Sequence, residues 1–422
     1  MAETIRSTET APLAPAPGAQ ALQESSTQAA EIPIQVTLEK APTAHVSVPE
    51  EAVSAPAARA GKPSERVEQR VAVPPGFKPV RGVHLTAWAA GAASARRRFL
   101  DRISGTLVNA VVVPVKETDG RVYIPGVASA HAHGTTRVAI PRPREMLADM
   151  KERGLYTVAR IVVFKDDTLP RKRPEWGVHD VTGGLWKNAK GVAWVDPYRK
   201  EVWEYNLDVA LHAVNLGFDE VQFDYIRFPS DGDIRRCLYS RADHSSGTAV
   251  EVLTAFLRYA HDRLAPSGTP MSVALFGLTT SAKGDMGIGQ DLDTMADLVD
   301  SLSPMMYPSH YAKGAYGLKD PNREPYKIVL WGLRDAKRRL GRSAYKLRPY
   351  LQDFSLGFRY GPEQVRAELM AARDQGIDSW IFWNPQNRYH WGALSPEPPS
   401  PDIVPPRGSN PAGSGDERSG GL

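Results

Sequence analysis

The 422-residue chain has a single cysteine, Cys237, which excludes an intrachain disulfide framework and a cysteine-based metal site. It leaves the compartment open. Charge of one sign is also lacking: 52 Lys and Arg face 48 Asp and Glu, a net +4, so nothing calls for nucleic acid as a partner. The basic runs at 96–98, 171–173 and 337–339 read as solvated faces of helices and loops. No apolar run reaches the length of a membrane span. The opening residues show no basic start leading into an apolar stretch of about seven residues or more, so no signal peptide is visible as the sequence stands. No G-x-G-x-x-G follows the first strand-like run, and no G-x-S-x-G elbow is present, which removes support for dinucleotide binding and for serine hydrolase chemistry.

Aromatics are nearly absent from Met1 to Gly76, a stretch rich in Ala, Pro, Ser, Thr and Glu. Such a composition buries too little apolar surface to offset the entropy of ordering, and it reads as a disordered arm. Only Ile34–Leu38 alternates like a strand. The Pro-, Gly- and Ser-rich tail from Ser395 reads as disordered in the same way, leaving residues 77–394 as the folded domain.

Between Val80 and Leu394 short β-branched runs alternate with longer amphipathic stretches. The runs are GVHLTAW from Gly82, LVNAVVVPV from Leu107, LYTVARIVVF from Leu155, DEVQFDYI from Asp219, MSVALFGL from Met271, VDSLSPMMY from Val299, KLRPYLQDF from Lys346 and IDSWIFW from Ile377. Helical patterns lie between them at 94–102, 142–153, 197–216, 249–264, 292–298, 325–340 and 362–374. Eight βα alternations predict an α/β fold, a (β/α)₈ TIM barrel, with a doubly wound sheet as the alternative.

In a barrel the lumen is filled by packed side chains and chemistry sits at the carboxyl ends of the strands. The polar residues fall there. Trp88 ends the first run, Lys116 and Glu117 follow the second, Lys165 and Asp166 follow the third, and Asp224 lies in the fourth with Arg227 directly after it. Tyr307, His310 and Tyr311 follow the sixth, Gln352 and Asp353 end the seventh, and Trp383 and Asn384 end the eighth. In the fourth run, alternation places Val221, Phe223 and Tyr225 under the helices and turns Gln222 and Asp224 into the barrel. A carboxylate at the mouth loses hydration unless a cation compensates it. Arg227, Lys116, Lys165 and Arg160 are the candidates.

Trp88, Trp186, Trp194, Tyr225, Tyr307, Tyr311, Phe354, Trp383 and Trp391 lie in or near the expected top loops. Flat rings beside carboxylates and amides suit pyranose faces and hydroxyls, so the expected partner is a carbohydrate. Substrate contacts are accordingly expected from Trp88, Lys116, Lys165, Asp166, Gln222, Arg227, Tyr307, His310, Gln352, Trp383 and Asn384. Glycoside cleavage needs two carboxyl groups. Asp224 is the first, and Asp353, at the end of YLQDF, is the first choice for its partner, with Glu117, Asp119, Asp166 and Asp285 open. His131 and His133 in HAHG could begin a metal site, but no third ligand is identifiable. No cofactor and no metal are therefore expected, and the oligomeric state is left open.

Through RGVHLTAWAAG, ARIVVFKD, GGLW, AWVDPYRKEVWEYN, GFDEVQFDYIRFPSDG and PMMYPSHY, the core from about Val80 to Leu394 resembles the putative glycoside hydrolase family of bacterial barrels. The resemblance implies a hydrolase acting on O-glycosyl bonds of a polysaccharide or oligosaccharide, with a non-catalytic carbohydrate-binding barrel as the alternative. Pro114 stands where that family is expected to carry an acid. A more distant likeness is to the family 18 chitinases, whose strand-four motif is D-x-x-D-x-D-x-E. Asp219, Gln222, Asp224 and Ile226 occupy those four places. The proton donor's place is held by Ile226, so that family's substrate-assisted mechanism does not transfer, and Asp224 would act on its own account. An Ala- and Pro-rich arm before a sugar-active barrel suits an exported protein, periplasmic or extracellular, and an upstream start is the expectation that would supply the missing signal.

Overall fold

Runs this apolar avoid water on both faces, and a closed parallel sheet wrapped by helices provides that. The computed structural model describes residues 71–396. The expected arm up to residue 70, with its strand-like Ile34–Leu38, and the tail from residue 397 lie outside the described residues.

The elements alternate as expected: β1 (Arg81–His84), α1 (Ala93–Ile103), β2 (Ala110–Lys116), α2 (Pro143–Lys151), β3 (Tyr156–Val162), α3 (Lys200–Leu216), β4 (Glu220–Asp224) and α4 (Ser246–Leu264). They continue with β5 (Met271–Phe276), α5 (Leu292–Ala296), β6 (Ser301–Met305), α6 (Pro325–Leu340), β7 (Tyr350–Gln352), α7 (Pro362–Asp374) and β8 (Trp380–Trp383). A 3₁₀ turn at Trp391–Ala393 stands where an eighth helix would follow. All eight strands are parallel and in sequential order, and β8 pairs back onto β1 through Arg81 opposite Trp380, Gly82 opposite Ile381 and Val83 opposite Phe382. This closure excludes the doubly wound alternative.

Local chemistry sets several boundaries. Ser245 caps α4 by accepting from the Thr248 amide, with the Thr248 hydroxyl returning to the Ser245 amide. Gly217 ends α3 in the left-handed region at φ 107°. Pro325 and Pro362 occupy the first turns of α6 and α7, where a missing N–H costs nothing. Pro114 cannot donate to the ladder, and the β2–β3 register shifts between Pro114 and Lys116.

The main core lies between strands and helices, where Phe223 packs its ring 5.4 Å from Phe256 of α4. A smaller cluster of Val112, Val158, Ala274, Tyr350 and Ile381 fills the lumen with Tyr307. The β4 alternation holds through Asp224: Val221 and Phe223 join the outer core, while Gln222 donates to Ser272 and Ser303 and accepts from Tyr350 inside the barrel. Between β6 and β7 the register pairing is thin, with Met305 opposite Tyr350 and an isolated bridge from Leu302 to Leu347. The loops after β3 and β4 are tied together by a short antiparallel ladder of His179–Asp180 with Cys237–Leu238. Among the described residues no helix is long and apolar enough to cross a membrane.

Candidate active site

The carboxyl ends of the strands enclose a cleft with about 850 Å³ of empty space, including the part open to solvent. Arg160 from β3, Asp224 and Tyr225 from β4, Phe276 from β5, Met305 from β6, Tyr350 from β7 and Trp383 from β8 converge on it. Gly277 and Leu278 after β5, Tyr307, His310 and Tyr311 after β6, and Phe354 after β7 complete the wall. The lining is aromatic for the most part, with one carboxylate and one guanidinium at its base.

That carboxylate and guanidinium are an ion pair. Arg160 reaches Asp224 Oδ2 from Nη2 at 2.6 Å and from Nε at 2.8 Å, and the Tyr225 amide donates to Asp224 Oδ1 at 2.6 Å. The other end of the guanidinium, Nη1, holds Glu117 Oε1 at 2.5 Å. One cation therefore joins two carboxyl groups. The side chains of Arg160 and Asp224 are 4% and 5% exposed, that of Glu117 24%. Burial opposes the charge of Arg160, but the carboxylates of Glu117 and Asp224 outweigh it and raise its pKa. Burial raises the pKa of Glu117, with the charges of Asp119 and Asp224 adding to it and Arg160 opposing.

Other walls are neutral. Burial lowers the pKa of His310 to about 4, leaving an uncharged imidazole whose Nδ1 lies 3.0 Å from the Ser309 hydroxyl. The Tyr307 hydroxyl is held protonated by burial. Trp383 presents its ring to Arg160 with the guanidinium 5.0 Å from the centroid and stacks on His84 at 3.8 Å. At Gly277 a Cβ would meet the Met305 carbonyl at 2.3 Å, so the absence of a side chain lets the wall close.

Of the residues expected at the site, Asp224, Tyr307, His310 and Trp383 line the cleft. Several others do not. Asp353 is fully buried and turned away: it accepts from the His390 amide at 2.8 Å, pairs with His390 Nδ1 at 2.6 Å, and has its pKa raised by burial. Lys116 and Asp166 bind each other at 2.8 Å, both wholly buried, and Asp166 also accepts the Thr168 and Leu169 amides that start a helical turn. Past the register shift at Pro114, Lys116 is spent on that pair instead of on the mouth. Asn384 braces its own loop through Arg388, Gln386 and the Asp353 carbonyl. Gln352 is held by Ser309 and the Phe354 carbonyl, and Gln222 lies deeper in the lumen. Trp88 packs against Tyr123 under Arg137. Lys165 and Arg227 stand behind the wall, on the ring of Tyr225.

Tyr225 itself departs from the expected alternation. Its backbone takes φ 53°, ending the strand, and it lines the cleft while also packing against the main core. Among the other acids considered, Asp119 is bonded to Arg121 and Tyr123, and Asp285 accepts the amides of Gly287 and Gly289. Trp186, Trp194 and Trp391 pack elsewhere than the lining. His131 is exposed and His133 packs on Trp176 and Tyr205; among the described residues no three His, Cys, Asp or Glu gather as a metal site would require.

Residues 82–389 match the profile of a family described as "Putative glycosyl hydrolase domain". The chain belongs to this family. Among solved structures, a hypothetical protein from Ruminiclostridium thermocellum ATCC 27405 is 32% identical over 45% of this chain and 96% of its own, with a TM-score of 0.42. The glycoside hydrolase domain of PgaB (BpsB) from Bordetella bronchiseptica is 14% identical, covering 76% of this chain and all 100% of its own, with a TM-score of 0.55. The spore cortex-lytic enzyme SleL from Bacillus megaterium QM B1551 is 11% identical over 77% of this chain and 76% of its own, with a TM-score of 0.45. No curated protein matches this chain. The family and the barrel together support a glycosidase-like function at the general level of hydrolase chemistry.

Proposed function

We propose that the protein is a glycoside hydrolase cleaving a polysaccharide or oligosaccharide in the cleft above β4, with the carboxyl groups of Asp224 and Glu117 as the acting pair. The observation that carries this is the guanidinium of Arg160, which bonds both. Two hydrogen bonds and the width of one guanidinium keep the bridged oxygens within roughly 7.5 Å, inside the ~5 to 9.5 Å spanned by retaining and inverting mechanisms. Glu117, raised by burial, suits the general acid that protonates the glycosidic oxygen as the C–O bond breaks. Asp224, ion-paired, suits the group that adds to the anomeric carbon or takes a proton from the attacking water. The proton given up by Glu117 leaves a second carboxylate, and Nη1 of Arg160 is already in place to stabilise it. Tyr225, Tyr307 and Phe354 supply aromatic rings to the wall on which the sugar would stack.

Reducing-end release from a panel of polysaccharides tests this reading. Asp224→Asn and Glu117→Gln are expected to lose about 10²- to 10⁴-fold in kcat. Asp353→Asn should keep its turnover, because its carboxyl faces His390. A folded Asp353→Asn as inactive as Asp224→Asn would sink the pairing. The alternative, a barrel that binds carbohydrate without cleaving it, draws on the same ion pairs, since both carboxyl groups spend an oxygen on Arg160; unchanged product profiles in all three variants would favour it.

A further inference from the structure

Two cations beside the cleft form no ion pair among the described residues. Arg227 is 2% exposed, yet among the described residues its side chain bonds only the Phe228 carbonyl at 3.0 Å and the Ser230 hydroxyl at 3.1 Å. Of the carboxylates that act on its charge, Asp231 accepts from Asn188 through one oxygen and has its other oxygen unpartnered among the described residues, without coming within ion-pair distance of Arg227, and Asp224 is paired to Arg160. Instead, Arg227 is surrounded by rings: Phe276 at 4.5 Å, Trp194 at 4.8 Å and Tyr225 at 4.9 Å. Lys165, half-buried, rests its ammonium 5.1 Å from the same Tyr225 ring and has no ion pair among the described residues.

Ring contacts return less free energy than a buried charge forfeits in lost hydration. The rings at Arg227 and the more distant charge of Asp231 offset part of that loss, and Lys165 adds a second positive charge that no carboxylate pairs among the described residues. Tyr225 and Phe276 are themselves part of the cleft wall, and Tyr225 follows directly on Asp224. The field of the two cations therefore acts where a bound sugar would lie.

We propose that the cleft selects a glycan bearing an anionic group, a uronate carboxylate or a sulfate, placed at the Tyr225 side of the wall, with Arg227 and Lys165 supplying the compensating charge. This rests on the carbohydrate reading of the cleft. A neutral sugar gives neither cation an ion pair, and a protonated amino sugar is repelled by them.

The test uses the full chain carrying Asp224→Asn, so that binding is read without cleavage, on an array of neutral, uronate-bearing, sulfated and amino-sugar glycans. Retention of acidic glycans is expected, weakening as NaCl rises from about 50 to about 500 mM. Which of the uronate and sulfate arms is retained identifies the anion. Added Lys165→Met or Arg227→Met is expected to weaken acidic binding by about tenfold each and to leave neutral glycans unaffected. If Arg227→Met fails to fold, Lys165→Met, on a half-exposed side chain, carries the test. Retention of no acidic glycan, or acidic binding untouched by a folded Lys165→Met variant, overturns the proposal. Wild-type protein that binds acidic glycans without cleaving them refutes the hydrolase reading and leaves this one standing; cleavage confined to neutral glycans does the reverse.

Discussion

The indole of Trp383 lies on the imidazole of His84, ring centroids 3.8 Å apart and planes 28° apart. Neither ring nitrogen of His84 has a hydrogen-bond partner among the described residues, and burial, joined by the charge of Arg160, holds its pKa well below 6.5. A depressed folded-state pKa stabilises the fold above the unfolded value and loses that contribution as pH falls. His84→Phe is expected to flatten the acid side of the stability profile. Denaturant titrations at about pH 7 and about pH 5 should show a smaller loss in the variant, the difference bounded by about 1.4 kcal/mol per pH unit. Equal losses would count against it.

Arg160→Met leaves the carboxyl groups of Glu117 and Asp224 without the cation that joins them. Breaking a buried pair from one side costs roughly 3 to 5 kcal/mol, and urea denaturation is expected to show a loss of that size. Adding Glu117→Gln and Asp224→Asn to the same chain should recover part of it, because the orphaned charges go with their partner. A triple variant no more stable than the single one would contradict the bridging role.

If Glu117 is the acid, it works protonated, and burial raises the pH at which it lets its proton go. Turnover is expected to fall as pH rises through that raised value. In Glu117→Gln the residual turnover should lose this basic limb while its acid limb stays. A basic limb that survives the substitution belongs to another group.

Gly277→Ala introduces a Cβ 2.3 Å from the Met305 carbonyl and 2.8 Å from the Tyr311 hydroxyl. Backbone on one side leaves little room to yield, so a loss of roughly 1 to 3 kcal/mol is expected from thermal melts, with weaker ligand binding because both neighbours line the cleft. An unchanged melting temperature would show that β6 yields at this point.

The barrel was legible because its strands are short, β-branched and spaced by helical stretches, and each of the eight runs from Gly82 to Trp383 overlaps its strand, six of them containing it whole. Alternation placed Asp224 and Gln222 inside. The same rule, carried to β7, turns Asp353 outward, since Tyr350 and Gln352 share the inner face; proximity to the strand end concealed this. Lys116 and Asp166 were separately legible as polar residues near the mouth, but their pairing across 50 positions was not. Arg160 was visible as one of four possible cations for Asp224, and only the fold shows that it also holds Glu117. Tyr225 escaped because a non-glycine residue with φ 53° ends the alternation without any signal in residue type. Gly277, Leu278 and Met305 carry no chemical signature at all.

The thin pairing of β6 with β7 has a mechanical consequence. Met305 and Tyr350, the two residues registered across that seam, are both part of the cleft wall. A closed hoop under load yields at its least-stitched joint, and here that joint runs along the binding surface. Thermal breathing of the barrel is therefore expected to change the width of the cleft first, with the more fully paired β2–β3 side, which carries Arg160, holding its place.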